Sequence, residues 1–185
     1  WRLVGGGDVD GDGTDDIVWI NVKTTQAHYW PMKAGKRTGG FDIHSPVGTS
    51  WFLRGVGDVD GDGTDDLVWQ NTSGQVHYWK MQGGKRVGYG DIHTPVGSEW
   101  FLRGVGDLNG DGTDDIVWQN TSGQVHYWSM RAGQRTASAD IYTPQAADLE
   151  LRGVVDMNGD GTDDIVWQSR STGQLSYWRM LAGKR

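Results

Sequence analysis

Residues 8–16 read Asp-Val-Asp-Gly-Asp-Gly-Thr-Asp-Asp, and the pattern returns at 58–66, 107–115 and 156–164. The copies are DVDGDGTDD twice, then DLNGDGTDD and DMNGDGTDD. Acidic residues take alternate positions with glycines between them, the chemistry of a hard cation held by oxygen. Calcium takes about six to eight oxygen ligands, and a loop supplies them only by bending tightly around the ion. Side chains at positions 1, 3, 5 and 9 can converge if the backbone coils, joined by the carbonyl at position 7. In the first copy these are Asp8, Asp10, Asp12, Asp16 and the main-chain oxygen of Thr14. Gly11 and Gly13 permit backbone conformations that a Cβ would resist. An ion-free Asp/Gly turn is the competing reading. One copy would leave it open, whereas four evenly spaced copies weigh against it, because crowded carboxylates repel unless neutralised.

The EF-hand loop also opens D-x-D-x-D-G, but it needs a bidentate Glu at its twelfth position and a helix on either side. Here the twelfth residue is Trp19, Trp69, Trp118 or Trp167. The flanks, such as Leu102–Gly106 and Asp115–Gln119, are short, β-branched and glycine-punctuated, and read as strands. The unit is strand, calcium loop, strand.

The repeat G-V-G-D-x-[DN]-G-D-G-T-D-D-[IL]-V-W resembles the FG-GAP/VCBS repeat, the integrin-type blade of calcium-binding β-propellers. The resemblance covers the whole chain. It implies a four-stranded blade with the ion in the loop between the first two strands. It places ligands at Asp8, Asp10, Asp12, Thr14 and Asp16, and at Asp58, Asp60, Asp62, Thr64 and Asp66. The third set is Asp107, Asn109, Asp111, Thr113 and Asp115; the fourth is Asp156, Asn158, Asp160, Thr162 and Asp164. Asn at position 3 of the last two copies can still coordinate through its amide oxygen, with one charge fewer. About four calcium ions per chain are expected.

Composition agrees with an all-β chain of many tight turns, since glycine numbers 30 of 185 residues and glutamate only two. Of the 24 acidic residues, 18 lie in the four loops, so the net charge of −7 is concentrated there. Four calcium ions would bring the formal total to about +1. No basic stripe for nucleic acid is present, and no apolar run reaches the roughly 18 residues of a membrane span. Cysteine is absent, so no disulfide staples the fold. No leader sequence is visible, and the chain opens inside a repeat.

The opening Asp residues of the loops are spaced by 50, 49 and 49 residues, a period that marks propeller blades. The expectation is a single β-propeller domain over 1–185, with repeats 1–50, 51–99, 100–148 and 149–185. In the second repeat, strands are predicted at Phe52–Asp58, Asp66–Gln70, Gln75–Met81 and Arg86–Ile92, with a hairpin turn at Asn71–Gly74. The fourth repeat stops at Arg185, the counterpart of Arg86, so its blade lacks the outer strand. Three closures are open: a four-bladed ring, part of a longer ring, or half of a ring completed by a second copy. The four-bladed ring is preferred, four blades being within the range propellers use. The incomplete last blade also offers a route to a homo-oligomer.

Eleven tryptophans recur periodically as Trp19/69/118/167, Trp30/79/128/178 and Trp1/51/100. Packing between blades accounts for most of them. A second reading gives some of them, such as Trp79 with Tyr78, as flat faces for sugars. His28, His77 and His126 precede Tyr-Trp, and His44 and His93 recur; spread one per blade, these read as structural or surface histidines. Asn71-Thr-Ser and Asn120-Thr-Ser fit a glycosylation acceptor or, equally, a turn. No nucleophile–base constellation breaks the repeat symmetry, so no enzyme activity is expected. The function expected is a calcium-stabilised, secreted or cell-surface binding module that recognises glycans. The alternatives are a protein-adhesion scaffold of the integrin-head type and a non-catalytic module appended to a secreted enzyme.

Overall fold

The Asp-[Ile/Leu]-Val-Trp segments after the acidic loops are β-branched and aromatic, and each forms a strand. A computed structural model describes residues 1–44, 48–93, 97, 99–142 and 148–185. Among these residues there is no helix, and the chain forms antiparallel sheets of the propeller-blade type. The first sheet is built from β1 (Arg2–Gly7), β2 (Asp16–Ile20), β3 (Ala27–Trp30) and β6 (Phe41–His44). The second has β7 (Trp51–Gly57), β8 (Asp66–Asn71), β9 (Val76–Gln82) and β10 (Lys85–His93). The third has β11 (Trp100–Gly106), β12 (Asp115–Asn120), β13 (Val125–Arg131) and β14 (Gln134–Tyr142). The fourth has three strands among the described residues, β15 (Leu149–Val155), β16 (Asp164–Ser169) and β17 (Leu175–Trp178).

Two features bend the sheets. Each innermost strand slips register at the residue after its leucine, between Leu3 and Gly5, Leu53 and Gly55, Leu102 and Gly104, and Leu151 and Gly153. In the first repeat Pro31 stands where Lys80 and Ser129 stand in the next two. Lacking an N–H, it divides the third strand, leaving a separate hairpin of β4 (Met32–Lys33) and β5 (Lys36–Arg37). The predicted strands of the second repeat hold to within a residue at each end.

The chain divides into two compact units, Trp1–Asp58 with Asp62–Pro95, and Val59–Gly61 with Val96–Arg185. In the first, one face of the first sheet meets the opposite face of the second. Val9, Val18, Ile20, Ala27 and Tyr29 pack against Leu53, Leu67, Trp69, Trp79 and Met81. In the second unit the same positions meet again, with Leu108, Val117 and Val125 against Leu151, Ile165, Trp167, Trp178 and Met180. Each repeat packs its two tryptophans against each other with ring centroids 4.5–4.7 Å apart and the rings tilted by 46–52°. An arginine (Arg37, Arg86, Arg135 or Arg185) lies over the second ring of each pair. Six of these eight tryptophans are core, Trp19 and Trp30 being half-buried, and Trp79 and Tyr78 are both buried, so neither presents a face to a sugar.

Glycine is required where neighbouring strands close in. A Cβ on Gly7 would run into Val56 and Asp65, and one on Gly106 would run into Val154 and Asp163.

Candidate functional site

Each acidic loop is organised by its first aspartate. Asp8 Oδ1 accepts the N–H groups of Gly11 and Asp12 (2.8 and 3.0 Å), and Oδ2 accepts that of Gly13 (2.8 Å). Asp107 makes the same set, Asp156 accepts from Asn158, Gly159 and Gly161, and Asp58 accepts from Asp62 and Gly63. These donors hold the Asp156 carboxyl below its ordinary pKa, with the Gly161 N–H the largest contributor. Coiling this tightly needs positive φ at the loop glycines, +77° at Gly11 and +84° at Gly13. The fifth-position carboxylates of Asp12, Asp62, Asp111 and Asp160 accept the N–H of Thr14, Thr64, Thr113 and Thr162 (3.0–3.1 Å).

The coil brings positions 1, 3 and 9 together. Asp8, Asp10 and Asp16, and likewise Asp58, Asp60 and Asp66, each offer a carboxylate oxygen within 4.8 Å of the other two. The fifth position lies outside this cluster. Asp62 Oδ2 is 2.8 Å from Lys80 Nζ, and Asp160 Oδ2 is 3.0 Å from Arg179 Nη2. In the third and fourth loops Asn replaces the position-3 carboxylate. Asn109 Nδ2 donates to Asp115 Oδ2 (3.1 Å) and Ser129 Oγ (3.0 Å), and Asn158 Nδ2 donates to Asp164 Oδ2 (2.9 Å).

Position 9 tests whether a cation fits. Asp16 is 1% exposed; its Oδ1 accepts the Met32 N–H at 3.0 Å, and its Oδ2 has no hydrogen-bond partner. An unmatched buried carboxylate oxygen costs about 1–3 kcal/mol or more. Burial first, then the charges of Asp10, Asp8 and Asp12, push the Asp16 carboxyl up to about 6. Burial also raises Asp115 to about 7, with Asp111 and Asp107 adding to the rise. Carboxylates this reluctant to ionise, converging on one point and holding a buried oxygen without a proton donor, fit a hard divalent cation.

Position 8 holds aspartate in all four copies, and that repetition is its signal in the sequence; the ligand pattern assigns it nothing. In the structure it ties one loop to the next. Asp65 Oδ2 accepts the Asp8 N–H (2.7 Å) while the Asp65 N–H donates to Asp8 O (2.9 Å). Asp163 and Asp107 repeat both bonds at 2.9 and 2.8 Å. Burial raises the Asp65 carboxyl to about 6.

A second recurring cluster lies near the β2–β3 end of the sheets. His28, His77 and His126 each place Nδ1 2.8–2.9 Å from Asp42, Asp91 or Asp140. Trp1, Trp51 and Trp100 stand over the same imidazoles, with centroids 5.4, 5.6 and 5.8 Å away. Tyr89, 69% exposed, flanks His77 on its other side at 5.4 Å, and Gln124 Nε2 donates to Asp140 at 3.2 Å. The paired aspartates are more than half exposed. The sequence reading missed these partners, which lie 14 residues beyond their histidines. The side chains of His44 and His93 lie outside the described residues. Asn71 and Asn120 use Oδ1 to accept the backbone N–H groups of Ser73 and Gln75, and of Ser122 and Gln124, which is turn chemistry.

No curated protein matches the chain in sequence. Among solved structures, a chain in a crystal structure of a nidogen/laminin complex is similar in fold, with a TM-score of 0.51 at 14% identity. The similarity covers 89% of this protein and 61% of that chain, so this protein spans less than two thirds of it. The FG-GAP-like repeat matches residues 8–69, 58–118 and 107–167. With strand–acidic loop–strand units, antiparallel blades and oxygen-rich loops all in place, the chain belongs to the FG-GAP-like repeat family of β-propeller proteins.

Proposed function

We propose that this protein is a calcium-stabilised, extracellular recognition module, one propeller domain over 1–185, that binds glycans without catalysis. One calcium ion per loop, four in all, neutralises the carboxylates and makes the native state depend on the ion. The observation that carries the glycan reading is the threefold Trp–His–Asp cluster. A ring face for sugar C–H groups stands beside a carboxylate and an imidazole that can bond hydroxyls. The second-repeat station, Trp51, His77, Tyr89 and Asp91, is the richest, with aromatic rings on both sides of the imidazole. Equivalent stations about one repeat apart suit a repetitive ligand, where weak sites gain strength through multivalency.

The test is a glycan array probed in calcium, followed by titration of the best ligand against Trp51→Ala and Tyr89→Ala. Binding should weaken roughly threefold to tenfold in each, consistent with an aromatic contact worth about 0.5–1.5 kcal/mol. Folded protein that binds no glycan, or binds equally well without Trp51 and Tyr89, would sink the reading. A protein ligand is the second reading. It is favoured by the exposed Phe41, Val87 and Tyr89 on the outer strands β6 and β10.

A further inference from the structure

We infer that the cleft between the first and second sheets takes a carboxylate-bearing sugar, an inference that rests on the glycan reading and names its ligand class. The cleft holds about 200 Å³ and lies at the end of the sheets opposite the acidic loops. Ile20, Trp51 and Phe52 give it apolar walls, Asn21 a polar group, and Arg2 and Arg54 two guanidiniums. Trp51 is also the ring whose centroid stands 5.6 Å from that of His77, so the cleft and the second-repeat station share a wall. A ligand resting on that ring reaches both.

Charge decides the class. The lining holds two arginines and, among the described residues, no acidic side chain. Carboxylates crowd instead into the loops at the far end of the same strands. Both guanidiniums are positioned by neighbours. Arg2 Nη2 donates to Leu53 O at 3.1 Å, which draws its side chain across to the second sheet, and Arg54 lies over the Phe52 ring at 4.9 Å. The bond to Leu53 spends one N–H of a group that carries several, and such planar forks bind carboxylates through paired, parallel bonds. A neutral sugar would bring acceptors to this end of the cleft but no charge.

The corresponding cleft of the second unit is a built-in comparison. Between the third and fourth sheets lies a cavity of about 180 Å³, with Phe101, Arg103, Asn120, Leu149 and Arg170 in its lining. Its walls come from the same repeat positions, Asn120 standing for Asn21 and Leu149 for Trp51. At the position of Phe52 stands Glu150, whose carboxylate lies 3.9 Å from Arg103, 3.2 Å from Arg152 and 3.4 Å from Arg170. Arg152 is the counterpart of Arg54. The second unit therefore supplies from its own chain the carboxylate that the first cleft takes from a ligand. Because the cleft recurs in mid-chain, it follows from the packing of two neighbouring sheets and not from the nearness of Arg2 to residue 1. The ligand that meets the first cleft carries a ring for Trp51, hydroxyls for Asn21 and the His77–Asp91 pair, and a carboxylate for Arg2 and Arg54.

The experiment titrates the whole 185-residue chain in calcium with methyl glucuronide and methyl glucoside. The two probes differ only in a carboxylate where the other has a hydroxymethyl group. Chemical-shift changes at the Trp51 indole N–H follow binding. The glucuronide should bind about tenfold more tightly in low salt, and the margin should shrink as salt is added. Arg2→Gln and Arg54→Gln should each bring the ratio of the two affinities toward one, with circular dichroism checking that each variant folds. Lys85→Gln removes an exposed charge from the hairpin at the other end of the second sheet and should leave the ratio as it is. Equal affinities for the two sugars, or a preference that survives both arginine variants, overturns the inference and leaves the glycan reading standing. Binding of neither sugar overturns it too, and a glycan array without a hit then shows that the glycan reading has failed with it.

Discussion

At Asp16 two demands meet in one side chain. Its Oδ1 anchors the backbone at Met32, while its Oδ2 is buried with no proton donor and aimed among other carboxylates. Asp16→Asn keeps the shape and removes the charge. Calcium affinity at the first loop should fall about tenfold or more, while the chelated protein melts at a higher temperature. Calorimetric titration and melts in chelator read the two effects, and a lower melting temperature in chelator would contradict the account. Glycine offers a paired contrast. Gly84 and Gly35 share a left-handed backbone, at +68° and +73°, but only Gly84 lies against a tyrosine within the chain. Alanine at either costs about 1 kcal/mol for the backbone alone. Gly84→Ala should cost about 1–3 kcal/mol more, because Tyr29 must move. Urea denaturation of the two variants at concentrations where the protein is monomeric measures the difference.

At the scale of the loop, burial and crowding act together and give a pH dependence. Asp16 and Asp65 are pushed up to about 6 and Asp115 to about 7, above the ordinary carboxylate value of about 3.9 in the unfolded chain. Between these values the native state holds more protons than the unfolded state. Stability of the chelated protein therefore falls as pH rises from about 4 to about 7. Saturating calcium should reverse the trend, since the ion binds the ionised carboxylates. Melting temperatures at pH 5 and 7.5, with and without chelator, test the sign. Ligand charge also ranks the loops. The first two, with carboxylates at positions 1, 3, 5 and 9, should bind more tightly than the last two, where Asn109 and Asn158 stand at position 3. Asn109→Asp should tighten the third site, and four equal sites on titration would refute the ranking.

Across the whole molecule, equivalent residues differ in what covers them. Leu3, Leu53 and Leu151 occupy one repeat position, yet Leu53 and Leu151 lie inside the two cores and Leu3 is exposed. Leu53→Ala and Leu151→Ala should each cost about 2–5 kcal/mol, and Leu3→Ala less than about 0.5 kcal/mol in the monomer. Equal costs at the three positions would mean that Leu3 is covered in solution.

Much of this was legible without coordinates because it is local. The alternation in Asp-Ile-Val-Trp and the Asp/Gly loop chemistry act over fewer than about ten residues, and they set the strands, the turns and the loops in which carboxylates of the first and ninth positions converge. What depends on distant neighbours was not legible. Trp79 and Tyr78 look like any exposed aromatic pair until the preceding sheet is placed against Trp79 and Met81. Asp65 reads as one more acidic residue until its 57-residue contact with Asp8 is seen. The partners of His28, His77 and His126 come from the next strand in the sheet, fixed by a register that shifts near Asp42 and Asp91. The sequence by itself determined that these strands and oxygen-rich loops would form, since both follow from side chains adjacent along the chain. Only the tertiary structure decided which sheet faces are covered and which carboxylate oxygens are left without a partner. Burial is a property of how sheets stack, and a repeat that is nearly the same four times cannot encode its own neighbours.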